Sequence, residues 1–302
     1  MSRRASFPNI VRVNLNTETT PGDVSDGDAL ARFSSGPRRF RPTALHVGSI
    51  ALHAGAAAAV AVLPSSWPWA LAAVAGNHLF NAAQTLAPAG QLLGPALARL
   101  PSSLETRNLV ALTFDDGPDP DVTPRVLDAL DQADARATFF CIGERVLRHP
   151  QLTREILVRG HAVENHSHTH SPLAGFWGSG RWQRDIANAQ QAIFDATGVA
   201  PVFFRPPFGV RTPLLEPALA ALGVHCAMWS SRAFDTLSDD AEDVLRRLQP
   251  SVRAGSIVLL HDGVALLRHR GSRVILDVLP HLLQALAHRG LRSIDLRSAI
   301  AD

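Results

Sequence analysis

Residues 164–170 read Glu-Asn-His-Ser-His-Thr-His, three imidazoles within five positions. If the run opens a helix or a tight helical turn, His166 and His170 stand at i and i+4 on one face. Two rings so placed can share one metal ion, with His168 left over and facing solvent. On a strand all three would share a face, and in a solvated loop none need converge. Two imidazoles do not make a metal site, so a third ligand has to come from elsewhere in the chain.

Other groups with chemical potential stand where apolar runs end. "LVALTF" stops at Asp115-Asp116-Gly117-Pro118, two adjacent carboxylates before a Gly-Pro turn. Consecutive residues leaving a strand point in different directions, so one can hold a metal while the other faces substrate. "FFRPPFG" puts Arg205 directly after an apolar pair and stiffens the next turn with proline. "HCAMWSSRAFD" leads to Asp235, and "SIVLLHD" ends at His261. Each has a plain reading: an acidic turn, a surface ion pair, a core histidine. Five run ends that each offer Asp, His or Arg are hard to assign to packing alone.

The elements that must position these groups follow from periodicity. Short β-branched or aromatic runs predict strands at 109–114, 137–141, 161–165, 202–204, 224–229, 257–261 and 291–294. Helical patterns fall between them, at 124–133, 152–159, 182–197, 213–222 and 274–289. That alternation predicts parallel strands with crossover helices, as a barrel or a doubly wound sheet. Both architectures place chemistry at the carboxyl ends of strands.

Composition excludes several alternatives. The 302 residues carry a net charge of +2, too little to imply a nucleic-acid partner. The chain has no lysine, which removes Schiff-base chemistry and the usual phosphate-binding loop, and no tyrosine. Its two cysteines, Cys141 and Cys226, sit in apolar runs and read as reduced core residues. Residues 1–42 read as a polar, disordered tail ending in Arg38, Arg39 and Arg41. Residues 43–90 hold two uncharged apolar stretches split by "PSSWP", and read as a membrane-associated helical hairpin. Asn77, His78 and Asn81 weaken the second stretch. The arginines would keep the tail in the cytoplasm, and two crossings would return the rest of the chain to that side. Residues 91–106 read as a linker and 107–302 as the catalytic domain.

Over about residues 107–300 the chain resembles the NodB-homology polysaccharide deacetylases, carbohydrate esterase family four. "TFDDGP" (113–118), "HSHTH" (166–170), "RPPFG" (205–209) and "LLH" (259–261) follow that family's motif order. The resemblance implies a distorted (β/α) barrel of about seven strands, here preceded by the apolar hairpin. It implies that Asp116, His166 and His170 bind a divalent metal, zinc in the usual case with Co2+, Mn2+ or Fe2+ as alternatives. It implies Asp115 as general base, His261 as the acid for the leaving amine, Arg205 orienting Asp115, and Asp235 anchoring Arg205. It implies an oxyanion donor at the backbone near Phe208, and Leu259 lining a slot for the acyl methyl. The substrate implied is an N-acetylated amino sugar in a polysaccharide or a lipid-linked glycan. An amidase of cyclic amides or ureides, or a non-catalytic carbohydrate-binding relative, are the alternatives. One departure stands out: Thr236 follows Asp235 where the family has Trp, and Arg232 stands where an acidic residue is common. Phe176 and Trp177 in the loop 171–181 are the replacement stacking surfaces this reading offers.

Overall fold

The computed structural model describes residues 36–85, 87, 90–263 and 273–301, so the expected tail as far as residue 35 lies outside the described residues. The apolar hairpin is two helices, α1 (Ala44–Val62) and α2 (Trp67–Thr85), joined by a turn at Pro64–Ser66. Neither contains a buried residue. Among the described residues α1 is the one helix long and apolar enough to cross a membrane.

The sheet is built around β2 (Leu109–Asp115), in which every residue is buried. Burial on both faces is why the run reads as continuously apolar. Its alternation separates two cores. Val110, Leu112 and Phe114 pack outward, while Leu109 and Ala111 face the interior. Thr113 and Asp115 continue the interior set toward the carboxyl edge. Parallel strands flank it: β3 (Ala137–Cys141) with Asp115 opposite Phe140, and β8 (Ile257–His261) with Asp115 opposite His261.

The sheet extends through β4 (Ala162–Asn165), β5 (Phe203–Phe204) and β6 (His225–Ala227). It ends on β1 (Ala96–Leu97) at one edge and β7 (Ser231–Arg232) at the other, in the order β1-β6-β5-β4-β3-β2-β8-β7. A short β9 (Arg292–Ser293) pairs with the start of β2. The sheet curls enough for Arg99, just past β1, to bridge Ser256 at the foot of β8. The architecture is a distorted, incompletely closed (β/α) barrel.

All seven expected strands form, with two more at the edges. β1 and β7 have two residues each and carry no alternation to read. The stretch expected to be a linker supplies β1 and the short α3 (Ser102–Glu105), and buries Leu97, Leu100 and Leu104 in the inner core. The crossover helices are α4 (Thr123–Gln132), α5 (Gly143–Arg148), α6 (Pro150–Val158), α7 (Ser179–Thr197), α8 (Leu215–Leu222), α9 (Ala241–Leu248) and α10 (Val274–His288). A last helix, α11, spans Leu296–Ala301. Helices α5, α9 and α11 were not expected. α9 is mostly charged, buries only Val244 and Leu248, and is set by Asp240 accepting from the N–H groups of Glu242 and Asp243.

Candidate active site

Asp115 ends β2 pointing inward. Asp116 follows in the left-handed region (φ 72°), which turns its carboxylate toward the histidine loop. A non-glycine residue there costs on the order of 1–2 kcal/mol, a strain the surrounding structure has to hold. Gly117 must be glycine, because a Cβ would sit 2.4 Å from Asp262 Oδ2.

His166 and His170 meet, but not through a helix. Residues 166–173 form a loop with Ser167 (φ 66°) and His170 (φ 47°) both left-handed. Asn165 Oδ1 accepts the Ser167 N–H at 2.8 Å, and Ser167 Oγ accepts the His170 N–H at 2.9 Å. Asp185 of α7 accepts the His168 N–H at 2.8 Å and the Thr169 hydroxyl at 2.9 Å. The two rings end 4.9 Å apart, centroid to centroid. His168 is not turned out to solvent. It is half-buried, with Nδ1 directly over Gly143 at the start of α5.

One ligand atom from each of Asp116, His166 and His170 lies within 4.8 Å of the others, and all three residues are buried. His166 Nδ1 donates to the Arg205 carbonyl at 2.9 Å. In the neutral ring that leaves a bare Nε2 lone pair 3.3 Å from Asp116 Oδ1. His170 Nε2 lies 3.3 Å from the same oxygen. That oxygen is buried and has no hydrogen-bond partner. Converging lone pairs repel unless a cation lies between them, so the donor set fits a divalent metal of the zinc type. The charge balance points the same way. Burial alone would raise Asp116, yet the positive potential of the rings around it, His166 first and then His170 and His261, holds it well below the usual carboxylate range. Burial and the neighbouring His166 push His170 down to about 4.

Asp115 is fixed by a different partner. Arg205, wholly buried, donates from Nη1 to Asp115 Oδ1 at 2.6 Å and to Thr113 Oγ1 at 2.8 Å. Its other guanidinium nitrogens donate to the carbonyls of Ala227 (3.3 Å) and Met228 (3.0 Å). Its guanidinium carbon stands 4.0 Å over the Phe140 ring. Asp235 does not take part, which corrects the expected anchoring of Arg205. Its Oδ2 accepts the His261 N–H and its Oδ1 the His261 Nδ1–H, both at 2.8 Å. The peptide after β7 carries Asp235 to the end of β8, not back to β5. Burial would lower His261, but the charge and hydrogen bond of Asp235 raise it to about 9. Its Nε2 is left free to face the site.

This arrangement has known counterparts. The family model described as polysaccharide deacetylase matches residues 104–227. A peptidoglycan-N-acetylglucosamine deacetylase of Bacillus cereus is 36% identical over 157 residues, which is 51% of this chain and 73% of that protein. The chain belongs to the polysaccharide deacetylase family. A chitooligosaccharide deacetylase of Sinorhizobium fredii is 39% identical over 155 residues, covering 51% of this chain and 72% of that protein. The solved family 4 carbohydrate esterase of Streptomyces lividans, in complex with acetate, superposes with a TM-score of 0.56 at 32% identity, over 62% of this chain and 91% of that one.

The remaining expected positions of this deacetylase-family chain divide. Phe208 is left-handed (φ 57°), 48% exposed, and packs edge-on against His170 at 4.7 Å. The next residue, Gly209 (φ 72°), lies so close to Trp229 that a Cβ would meet its ring at 2.3 Å. Leu259 is buried on the interior face, two residues before His261 and opposite Thr113. Trp177 is a correction: it is buried in the inner core, edge-on to Trp182 at 5.0 Å, and closed to a sugar. Its neighbour Phe176 is the exposed ring of that loop, at 89%.

Two of the buried carboxylates that went unread in the sequence, Asp185 and Asp262, brace the site. Asp185 braces the histidine loop from α7, where nothing local marks it. Asp262 follows His261 directly, which was the available signal. Its Oδ2 accepts the Thr123 hydroxyl at 2.6 Å, and burial pushes it up to about 7 against that bond and the charge of Arg145.

Proposed function

We propose that the chain is a metal-dependent hydrolase that removes the N-acetyl group from an amino sugar in a glycan. One observation carries this: the partnerless Asp116 oxygen and the His166 and His170 nitrogens converge beside an Arg205-held Asp115 and an Asp235-held His261. Asp116, His166 and His170 would hold the ion, zinc before cobalt, manganese or iron. When bound, it supplies Lewis acidity toward the acyl oxygen and an acidified water.

The protein's own groups do the rest. Asp115, charge-paired with Arg205, takes the proton from the attacking water as general base. The backbone N–H of Phe208 itself, held by the strained turn, donates to the developing oxyanion. His261, kept as imidazolium by Asp235, hands its Nε2 proton to the departing amine, which leaves poorly without one. Leu259 floors the slot for the acyl methyl. Phe208 and Phe234 wall the groove where the family's Trp is replaced by Thr236. Residues 43–90 bring the enzyme to a membrane.

Acetate release from N-acetylglucosamine oligomers with added zinc tests the reading. Asp115→Asn, which keeps an oxygen for Arg205 to bond, should lower the rate by roughly 10²–10⁴, measured on variant protein whose circular dichroism matches the wild type. Wild-type turnover in that variant would remove Asp115 as the base.

A further inference from the structure

The hairpin is keyed to the loop that carries Phe208. His46, in the first turn of α1, accepts the Thr43 N–H at Nδ1 (3.3 Å), which leaves Nε2–H to donate to the Pro213 carbonyl at 2.8 Å. The Arg211 N–H donates to the carbonyl of Thr85, the last residue of α2, at 3.3 Å. The buried Arg211 guanidinium donates to the carbonyls of Gly90 and Gly94, and Thr43 Oγ1 to that of Leu92. Just before α1, Arg38 pairs with Glu216 of α8 at 2.6 Å. These contacts all lie at the open end of the hairpin.

Beyond that end the hairpin pairs several of its own polar groups. Asn77 Nδ2 donates to Ser49 Oγ at 2.8 Å, and Asn81 Nδ2 to the Asn77 carbonyl at 3.0 Å. His53 Nδ1 bonds the Ser49 carbonyl, and its Nε2 meets His78 Nε2 at 3.3 Å. Asn77 and His78, two of the polar residues that weaken the second stretch, therefore contact its partner helix, as polar groups do between helices in lipid. The outward surface is largely apolar, including Val47, Ile50, Leu71, Leu79 and Phe80. No charged residue occurs from 44 to 85. Each 19-residue helix is about 28 Å long at 1.5 Å per residue, close to a bilayer's hydrocarbon thickness. Trp67 and Trp69 lie at the tip, and Arg38, Arg39 and Arg41 precede the base.

A hairpin inserted to its base sets Pro213 at the headgroups. Phe208 is five residues away, a reach of at most about 18 Å even fully extended. The other loops at this edge add exposed apolar side chains: Leu173 and Phe176 after β4, Leu214 after β5, Leu237 after β7. Gly175 borders Val210, so the 171–178 and 205–214 loops form one rim.

We infer that the active-site mouth lies against the bilayer surface, and that the substrate is an N-acylated amino sugar carried on a membrane lipid. The inference rests on the deacetylase reading for its chemistry but not for its geometry. The full chain in phospholipid vesicles, labelled with a fluorophore at Phe176→Cys or at Gln132→Cys, tests the geometry with a headgroup-attached quencher. Gln132 lies exposed at the opposite end of the barrel, on the turn from α4 to β3. Quenching at 176 and not at 132 is expected. Equal quenching, quenching at 132 alone, or a chain that stays off vesicles as a soluble oligomer overturns the orientation. Acetate release is then compared between an N-acetylglucosaminyl lipid in those vesicles and a soluble N-acetylglucosamine oligomer. A preference for the lipid on the order of ten-fold is expected, since both partners share one surface. Equal rates overturn the substrate class. Selective quenching at 176 with no release from any acylated sugar supports the orientation and sinks the hydrolase reading instead.

Discussion

Arg205 and Arg159 both gather carboxylates, in opposite surroundings. Arg159, at the end of α6, reaches Asp128 and Asp131 at 2.7 Å and Glu155 at 3.2 Å, but those acids are 44–60% exposed. Arg205 has one carboxylate, Asp115, and neither side chain is more than 4% exposed. Water screens the first cluster, so its three ion pairs contribute little. The second is stripped of water, and each group depends on its designated partner. The number of ion pairs is therefore a poor guide; what matters is whether either charge could be solvated if the other left.

Arg205→Met should break that contrast most severely. It leaves Asp115 buried and unpaired, so a loss of about 3–5 kcal/mol is expected in urea unfolding, together with loss of acetate release. A smaller effect is expected at the proposed metal ligands. His170→Ala should abolish stoichiometric zinc by elemental analysis, whereas His168→Ala, outside the cluster, should retain it.

Next comes pH. His261 is raised from 6.5 to about 9, so it stays protonated at pH 8 and activity should fall along the alkaline limb as pH rises through 9. Stability has the same sign: the Asp235–His261 pair contributes fully below pH 6.5 and is lost as pH climbs through 9. Asp235→Asn removes the main raising cause, and the limb should move toward lower pH in a rate profile. An unmoved limb would show that another group supplies the proton. Smallest of all, Arg159→Ala should cost no more than about 1 kcal/mol and leave turnover unchanged.

Legibility in the sequence followed the same division between local and tertiary. β3 and β8 were readable to the residue, because strands buried on both faces leave unbroken apolar runs. The spacing of His166 and His170 was readable, but not the loop that brings them together, since Ser167 and His170 carry no glycine to announce a left-handed turn. Asp235 could be picked out as a residue, but its partner could not. Whether it meets Arg205 or His261 depends on how β7 lies beside β8, which no local pattern encodes. Trp177 next to Phe176 shows the same limit. Two adjacent aromatics in one loop read alike, and only packing against Trp182 decides which is hidden.

The brace supplied by Asp185 separates ligand identity from ligand placement. Its carboxylate belongs to a crossover helix outside the motif residues, yet it sets the path of the backbone between the two imidazoles. Drift along α7 can therefore retune how tightly the proposed ion would be gripped while every motif residue stays as it is. Two relatives with the same signature can then differ in the metal they retain.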